Sequence, residues 1–131
     1  MYARRINMDI GLIATWTFLG LTGIAFAPAG LMKLGKRNAK MLERTPWMED
    51  FSEPQVRLIG TAEILGAIGL VVPFATGILP WLSPIAGAGL VVLMLGAAAT
   101  HIRRKEHKMV PVNLTLAVLA GAAAYLTYVR L

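Results

Sequence analysis

"RLIGTAEILGAIGLVVP", residues 57–73, is a run of apolar and small residues with one carboxylate inside it. Glu63 stands six positions past Arg57, about 9 Å further along a helix axis at 1.5 Å per residue. That is too deep for so short a side chain to reach the water boundary. A charged group at such a depth in hydrocarbon costs about 3 kcal/mol or more unless it is paired, protonated or facing a cavity. The stretch therefore points in two directions. Its apolar length places the chain in a membrane, and its one charge marks something inside the protein that the charge must face.

Working outward, the rest of the chain agrees. It has 131 residues, of which 56% are hydrophobic and only 15% charged, against about 25% in a soluble domain. A spanning helix needs about 20 mostly apolar residues. Segments 8–32, 57–77, 80–102 and 109–130 meet that need. The expectation is a single domain over 1–131, an all-α integral membrane bundle of four antiparallel helices. Pro73, Pro80 and Pro84 punctuate a charge-free connection between the second and third spans. Trp81, Tyr125 and Tyr128 lie near span ends, where amphipathic rings favour the interface. Residues 33–56 form the only long polar stretch, with basic residues alternating with Leu42, Trp47, Met48 and Phe51. It reads either as a solvated connection or as an added amphipathic piece on the membrane surface. Pro46 interrupts any helix there. Ser52 is a candidate N-cap, with Pro54 in the first turn that follows.

The net charge of +6 does not indicate nucleic acid, because the basic residues flank apolar runs instead of lining a polar face. They orient the chain instead. With four spans, Arg4, Arg5 and Arg130 share one side and the remaining ten of the 13 Lys and Arg share the other. The positive-inside rule then puts the first and third connections in the cytoplasm and both termini outside, in a cell (inner) membrane. Ala25-Phe26-Ala27 resembles a signal-peptidase site, but Pro28 at the first mature position disfavours cleavage, so the first span is expected to be retained.

Helical spacing gathers the polar residues. At 100° per residue, Thr15, Thr22, Phe26, Ala29 and Lys33 share one face of the first span. Ile59, Glu63, Gly66 and Leu70 share one on the second. Gly87, Val91, Met94, Ala98 and His101 do so on the third, and Asn113, Ala117, Ala120, Ala124 and Tyr128 on the fourth. Three of these faces are small or polar, as expected where membrane helices meet closely. In an antiparallel bundle Lys33, Glu63, His101 and Asn113 fall at one depth. Glu63, Lys33, His101, Asn113, Gly66 and Met94 are thus the candidate ligand-binding residues, with opposite charges easing each other's desolvation. Plainer readings stand beside this one. Lys33 at a span end also serves as a snorkelling anchor, His101 beside Arg103 as an interfacial residue, and Asn113 as a cap or helix glue.

These residues carry a resemblance. "FAPAGLMKL" at 26–34, "LIGTAEILGAIGLVVP" at 58–73, "LSPIAGAGLVVLMLGAAATHIRR" at 82–104 and "NLTLAVLA" at 113–120 together resemble the DoxX-like family of small four-span membrane proteins, over nearly the whole chain. The resemblance implies a four-helix bundle, and its lysine, glutamate and histidine map onto Lys33, Glu63 and His101. It also implies links to thiosulfate:quinone oxidoreductase subunits, to redox-stress complexes and, in distant animal relatives, to assembly chaperones for receptor channels. The chain has no cysteine, so it departs from any member that works by thiol exchange.

The chemistry left open is narrow. There is no nucleotide-binding loop, His-Glu-x-x-His or serine elbow. His101 and His107 are the only histidines, and they stand together at one end, so a bis-histidine haem across the bundle lacks its second ligand. No metal and no intrinsic cofactor is expected. A quinone remains feasible, because it needs only an apolar slot and one or two hydrogen-bonding groups. The leading expectation is therefore a membrane protein that binds a small amphiphile, a quinone or a lipid, as a stand-alone binder or as the membrane subunit of a redox system. An assembly protein contacting other membrane helices, as a homo-oligomer or with a partner, is the alternative. A transporter or channel ranks third, since four spans without an inverted repeat make a poor alternating-access machine. Whether any catalysis takes place is left open.

Overall fold

The structure is a computed structural model and describes residues 9–131. Arg4, Arg5 and the expected start of the first span at Met8 lie outside the described residues. Four long apolar helices dominate: α1 (Ile10–Leu34), α3 (Glu53–Thr76), α4 (Leu82–Arg103) and α5 (Val110–Tyr128). A short helix, α2 (Ala39–Arg44), and a 3-10 turn (Pro46–Asp50) fill the connection between α1 and α3. The shortest span has 19 residues, about 28 Å of helix, which matches a hydrocarbon core of about 30 Å.

Local chemistry sets the ends. Asp9 caps α1 by accepting from the Leu12 N–H at 2.6 Å. At the start of α3, Ser52 and Gln55 form a reciprocal capping box with Pro54 in the first turn, so the helix begins at Glu53, before the apolar run that predicted its start at 57. Gly77 closes α3 with a left-handed φ of 70°, a conformation that a residue with a Cβ reaches only at a cost. Pro46 separates α2 from the turn after it, as its missing N–H requires.

The long helices form a ring in the order α1, α3, α4, α5, each packed on its two neighbours, and the diagonals scarcely touch. The α1–α5 seam is the least extensive of the four. Leu19, Phe26, Leu70, Leu90, Met94 and Ala120 fill the centre. Outward, side chains such as Ile24 (75% exposed) and Val118 (68%) are bare. So apolar a surface has its natural solvent in acyl chains, where helix association rests on close packing and internal polar bonds. Buried threonines satisfy themselves within their own helix: Thr15, Thr22 and Thr127 donate to carbonyls one turn back. This removes the cost of an unpaired hydroxyl in hydrocarbon.

The inward stripes are displaced by one residue from the expected ones in six places. Gly30 is buried beside half-buried Ala29, Gly60 beside half-buried Ile59, Ala67 beside half-buried Gly66, Leu90 beside half-buried Val91, Ala123 beside half-buried Ala124, and Thr127 in place of Tyr128, which is 62% exposed. The ring of Tyr128 takes the interfacial position instead, and Thr127 turns its self-satisfied hydroxyl inward. The connection between α1 and α3 does not stand off as a solvated loop. Met48 is fully buried, Arg37 donates to the Met48 carbonyl at 2.9 Å, and Asp50 accepts from Arg103 and Arg104 at the end of α4. This segment covers one end of the bundle, termed the loop end. The opposite end is tied by Arg130, which donates to Asp9 at 2.7 Å and to Thr15 at 3.1 Å.

Candidate functional site

At the loop end α1 and α3 come so close that two glycines stand in for side chains. Gly30 and Gly60 each lie one turn before a charged residue, Lys33 and Glu63. A Cβ built on Gly60 would lie 2.7 Å from the Lys33 Cβ, and one on Gly30 would lie 3.2 Å from the Glu63 Cβ. The sequence repeats itself here as Gly-x-x-Lys and Gly-x-x-Glu, and the repeat is what brings the two charges together. Lys33 Nζ donates to both carboxylate oxygens of Glu63, at 2.8 and 3.0 Å. The side chains are only 10% and 3% exposed. The third ammonium proton points to the Ala29 carbonyl at 3.4 Å. The Glu63 carboxylate is thus paired, and its partner is the lysine that helical spacing selected. A pair this dry gains strong mutual attraction, which offsets a large desolvation cost.

His101 takes a different partner. Its Nδ1 lies 3.0 Å from Glu106 Oε2. They stand five positions apart, and the chain turns back because Lys105 adopts a left-handed φ of 60°. Glu106 also accepts from Arg104. Hydrogen bonding from Arg104 is the chief reason the Glu106 carboxyl is held below its ordinary range, with His101 adding to it against some desolvation. With Nδ1 engaged, Nε2 is the His101 nitrogen open to a ligand. Trp47 completes this end. Its ring lies 6.5 Å from that of His101 and 5.8 Å from that of Phe51, both edge-on, and Lys33 Nζ stands 5.8 Å from its centre. The connection that covers the bundle therefore supplies an aromatic roof over the polar residues.

Beneath it lies a cavity of about 600 Å³, lined by all four long helices and by the roof. Lys33, Glu63, His101, Asn113 and Met94 all line it. Gly66 does not. It faces Leu90 of α4, whose Cδ2 would lie 2.5 Å from a Cβ at that position, so Gly66 serves helix packing. Sequence reasoning missed Trp47, Phe51 and Glu106 as neighbours of the site. The alternation of Trp47 and Phe51 with polar residues signalled a buried face without naming what it covers, and Glu106 carried no signal at all. Val92 (69% exposed) and Val112 (47%) belong both to the cavity wall and to outward surface.

A ring of four apolar helices, with a charged pair and polar residues drawn to one end, defines a small multi-pass membrane protein in a lipid bilayer. The family model of the DoxX-like family matches residues 17–123, and the chain belongs to that family. No curated protein and no solved structure matches it.

Proposed function

We propose that the protein binds a small amphiphile, a quinone or a lipid, with its oxygenated head at the loop end and its tail along the apolar interior. The cavity carries this reading. Its volume of about 600 Å³ lies within the roughly 300–1,000 Å³ of small-molecule sites. Its polar groups gather at one end, while Phe26, Leu93 and Leu116 line the remainder. The aromatic roof favours a flat head, and of the two classes a quinone ring fits best. The chain has no cysteine and two histidines, so in a redox system it would hold the quinone for a partner that moves the electrons. The loop end faces the cytoplasm of an inner membrane in this reading, on the strength of the basic residues gathered there.

The assembly alternative has less support. Gly30, Gly60, Gly66 and Gly87, where helices approach closely, meet residues of this same bundle, so those close-approach faces are already occupied. The test is thermal unfolding in detergent across a panel of quinones and lipids. A ligand that binds only the folded state at 100 times its Kd stabilises by about 2.7 kcal/mol. If no compound shifts the wild type, or if Glu63→Gln responds identically to every compound, the pocket reading gives way to the helix-contact one.

A further inference from the structure

Among the described residues, two buried side-chain polar atoms have no hydrogen-bond partner, Ser83 Oγ and Asn113 Nδ2. Only Asn113 lines the cavity. The residue is 6% exposed, and the helix-glue role has no bond to support it. Among the other polar groups of the wall, Lys33 directs its protons to Glu63 and Ala29, Thr100 donates to Gly96, Thr45 donates to Met41, and His101 engages Glu106 through Nδ1 while its Nε2 stays open. An orphaned amide in hydrocarbon is costly and asks for an explanation.

We infer that Asn113 is the specificity-determining donor of the cavity, whose amide N–H meets a carbonyl oxygen on the ligand's head. This deepens the amphiphile-binding reading and rests on it. The amide turns about χ2, a broad two-fold torsion, to face the cavity as the ligand enters. A carbonyl is the right class of acceptor because the wall already holds an internally neutralised ion pair. A charged head would disturb that pair, whereas a neutral oxygen satisfies the amide and leaves Lys33 and Glu63 joined. Such a carbonyl comes either from a quinone ring or from the ester of a lipid.

The experiment measures ligand affinity and thermal stability of the full chain in detergent with matched probes. One pair is a decyl-substituted benzoquinone and decylbenzene, which keeps the ring and tail without a carbonyl. The second is an ester-linked diacylglycerol, whose head is uncharged, and its ether-linked counterpart. Wild type is expected to bind the carbonyl member of one pair more tightly. Asn113→Leu is expected to unfold at a higher temperature without ligand, since it removes the orphaned donor, and to bind that carbonyl probe about tenfold more weakly, the worth of one hydrogen bond. Asn113→Asp, with no amide protons, loses at least as much. The pair that shows this dependence identifies the source of the carbonyl. Equal affinity of wild type for both members of each pair, or an unchanged affinity in Asn113→Leu, overturns the donor while leaving the pocket in place. Binding lost in Asn113→Leu but kept in Asn113→Asp overturns it too, by making the residue an acceptor. If wild type binds none of the four, the pocket itself is gone and the donor with it.

Discussion

Gly30 and Gly60 press backbone against backbone: a Cβ on Gly30 would sit 2.7 Å from the Gly60 carbonyl oxygen, and a Cβ on Gly60 would sit 2.6 Å from that of Gly30. The relationship is reciprocal, and each glycine lies one turn from a member of the buried ion pair. The closest approach of α1 and α3 and the meeting of their charges are one arrangement.

Either Gly30→Ala or Gly60→Ala therefore forces the two helices apart. The expected loss is about 1–3 kcal/mol, the usual cost of overpacking a tight contact. Gly20→Ala is the control, since a Cβ there meets nothing within 4 Å. Denaturation in mixed detergent micelles checks both. Equal stability of Gly60→Ala and Gly20→Ala would exclude the close approach.

Removing the carboxylate of Glu63 should matter less than removing its polarity. Glu63→Gln keeps an acceptor for Lys33, whereas Glu63→Leu leaves a buried ammonium with only the Ala29 carbonyl. Breaking one partner of a buried pair costs about 3–5 kcal/mol. The double variant Lys33→Met with Glu63→Leu should recover most of that loss. The same unfolding assay decides, and a double variant no better than Glu63→Leu alone would mean that the pair is not the source of the effect.

The Glu106 carboxylate predicts a response to acid. Its pKa is lowered in the folded protein, so its contribution to stability is complete above the ordinary glutamate range and is lost as pH falls through the lowered value. At neutral pH Glu106→Gln should be less stable than wild type by under about 1 kcal/mol, in keeping with its partial exposure. The gap should close only in acid, below the ordinary glutamate range. A gap independent of pH would show that the carboxylate's charge plays no part.

Orientation can be read with single cysteines, since the chain has none of its own. Asn38 and Ile78 are exposed at opposite ends of the bundle. Asn38→Cys should react with an impermeant maleimide only after the membrane is opened, and Ile78→Cys without it. The opposite pattern would reverse the proposed topology.

What the sequence told of this arrangement follows from what each signal measures. Apolar length located four spans, because lipid imposes it, but α3 begins before its apolar run because capping by Ser52 and Gln55 extends a helix into polar sequence. Periodicity found Lys33, Glu63, His101 and Asn113, since a charge or amide within a span has few places to face. It misplaced Gly66 and Tyr128 by one position. A stripe at 100° per residue tolerates that slip, and contacts such as Gly66 against Leu90 decide between neighbours. The roof was hidden because its anchors, Asp50 with Arg103 and Arg104, join parts of the chain more than fifty residues apart, and no local pattern records such a bond.

That roof has a kinetic corollary. With Met48 buried and Asp50 tied to two arginines, the aqueous route into the cavity is obstructed, while Val92 and Val112 border it on the side that meets acyl chains. For the amphiphile proposed above, exchange would then proceed sideways, through the bilayer. The concentration governing its occupancy would be the mole fraction dissolved in the membrane, so a hydrophobic molecule scarce in water would fill the cavity readily, and a soluble analogue of equal intrinsic affinity would not.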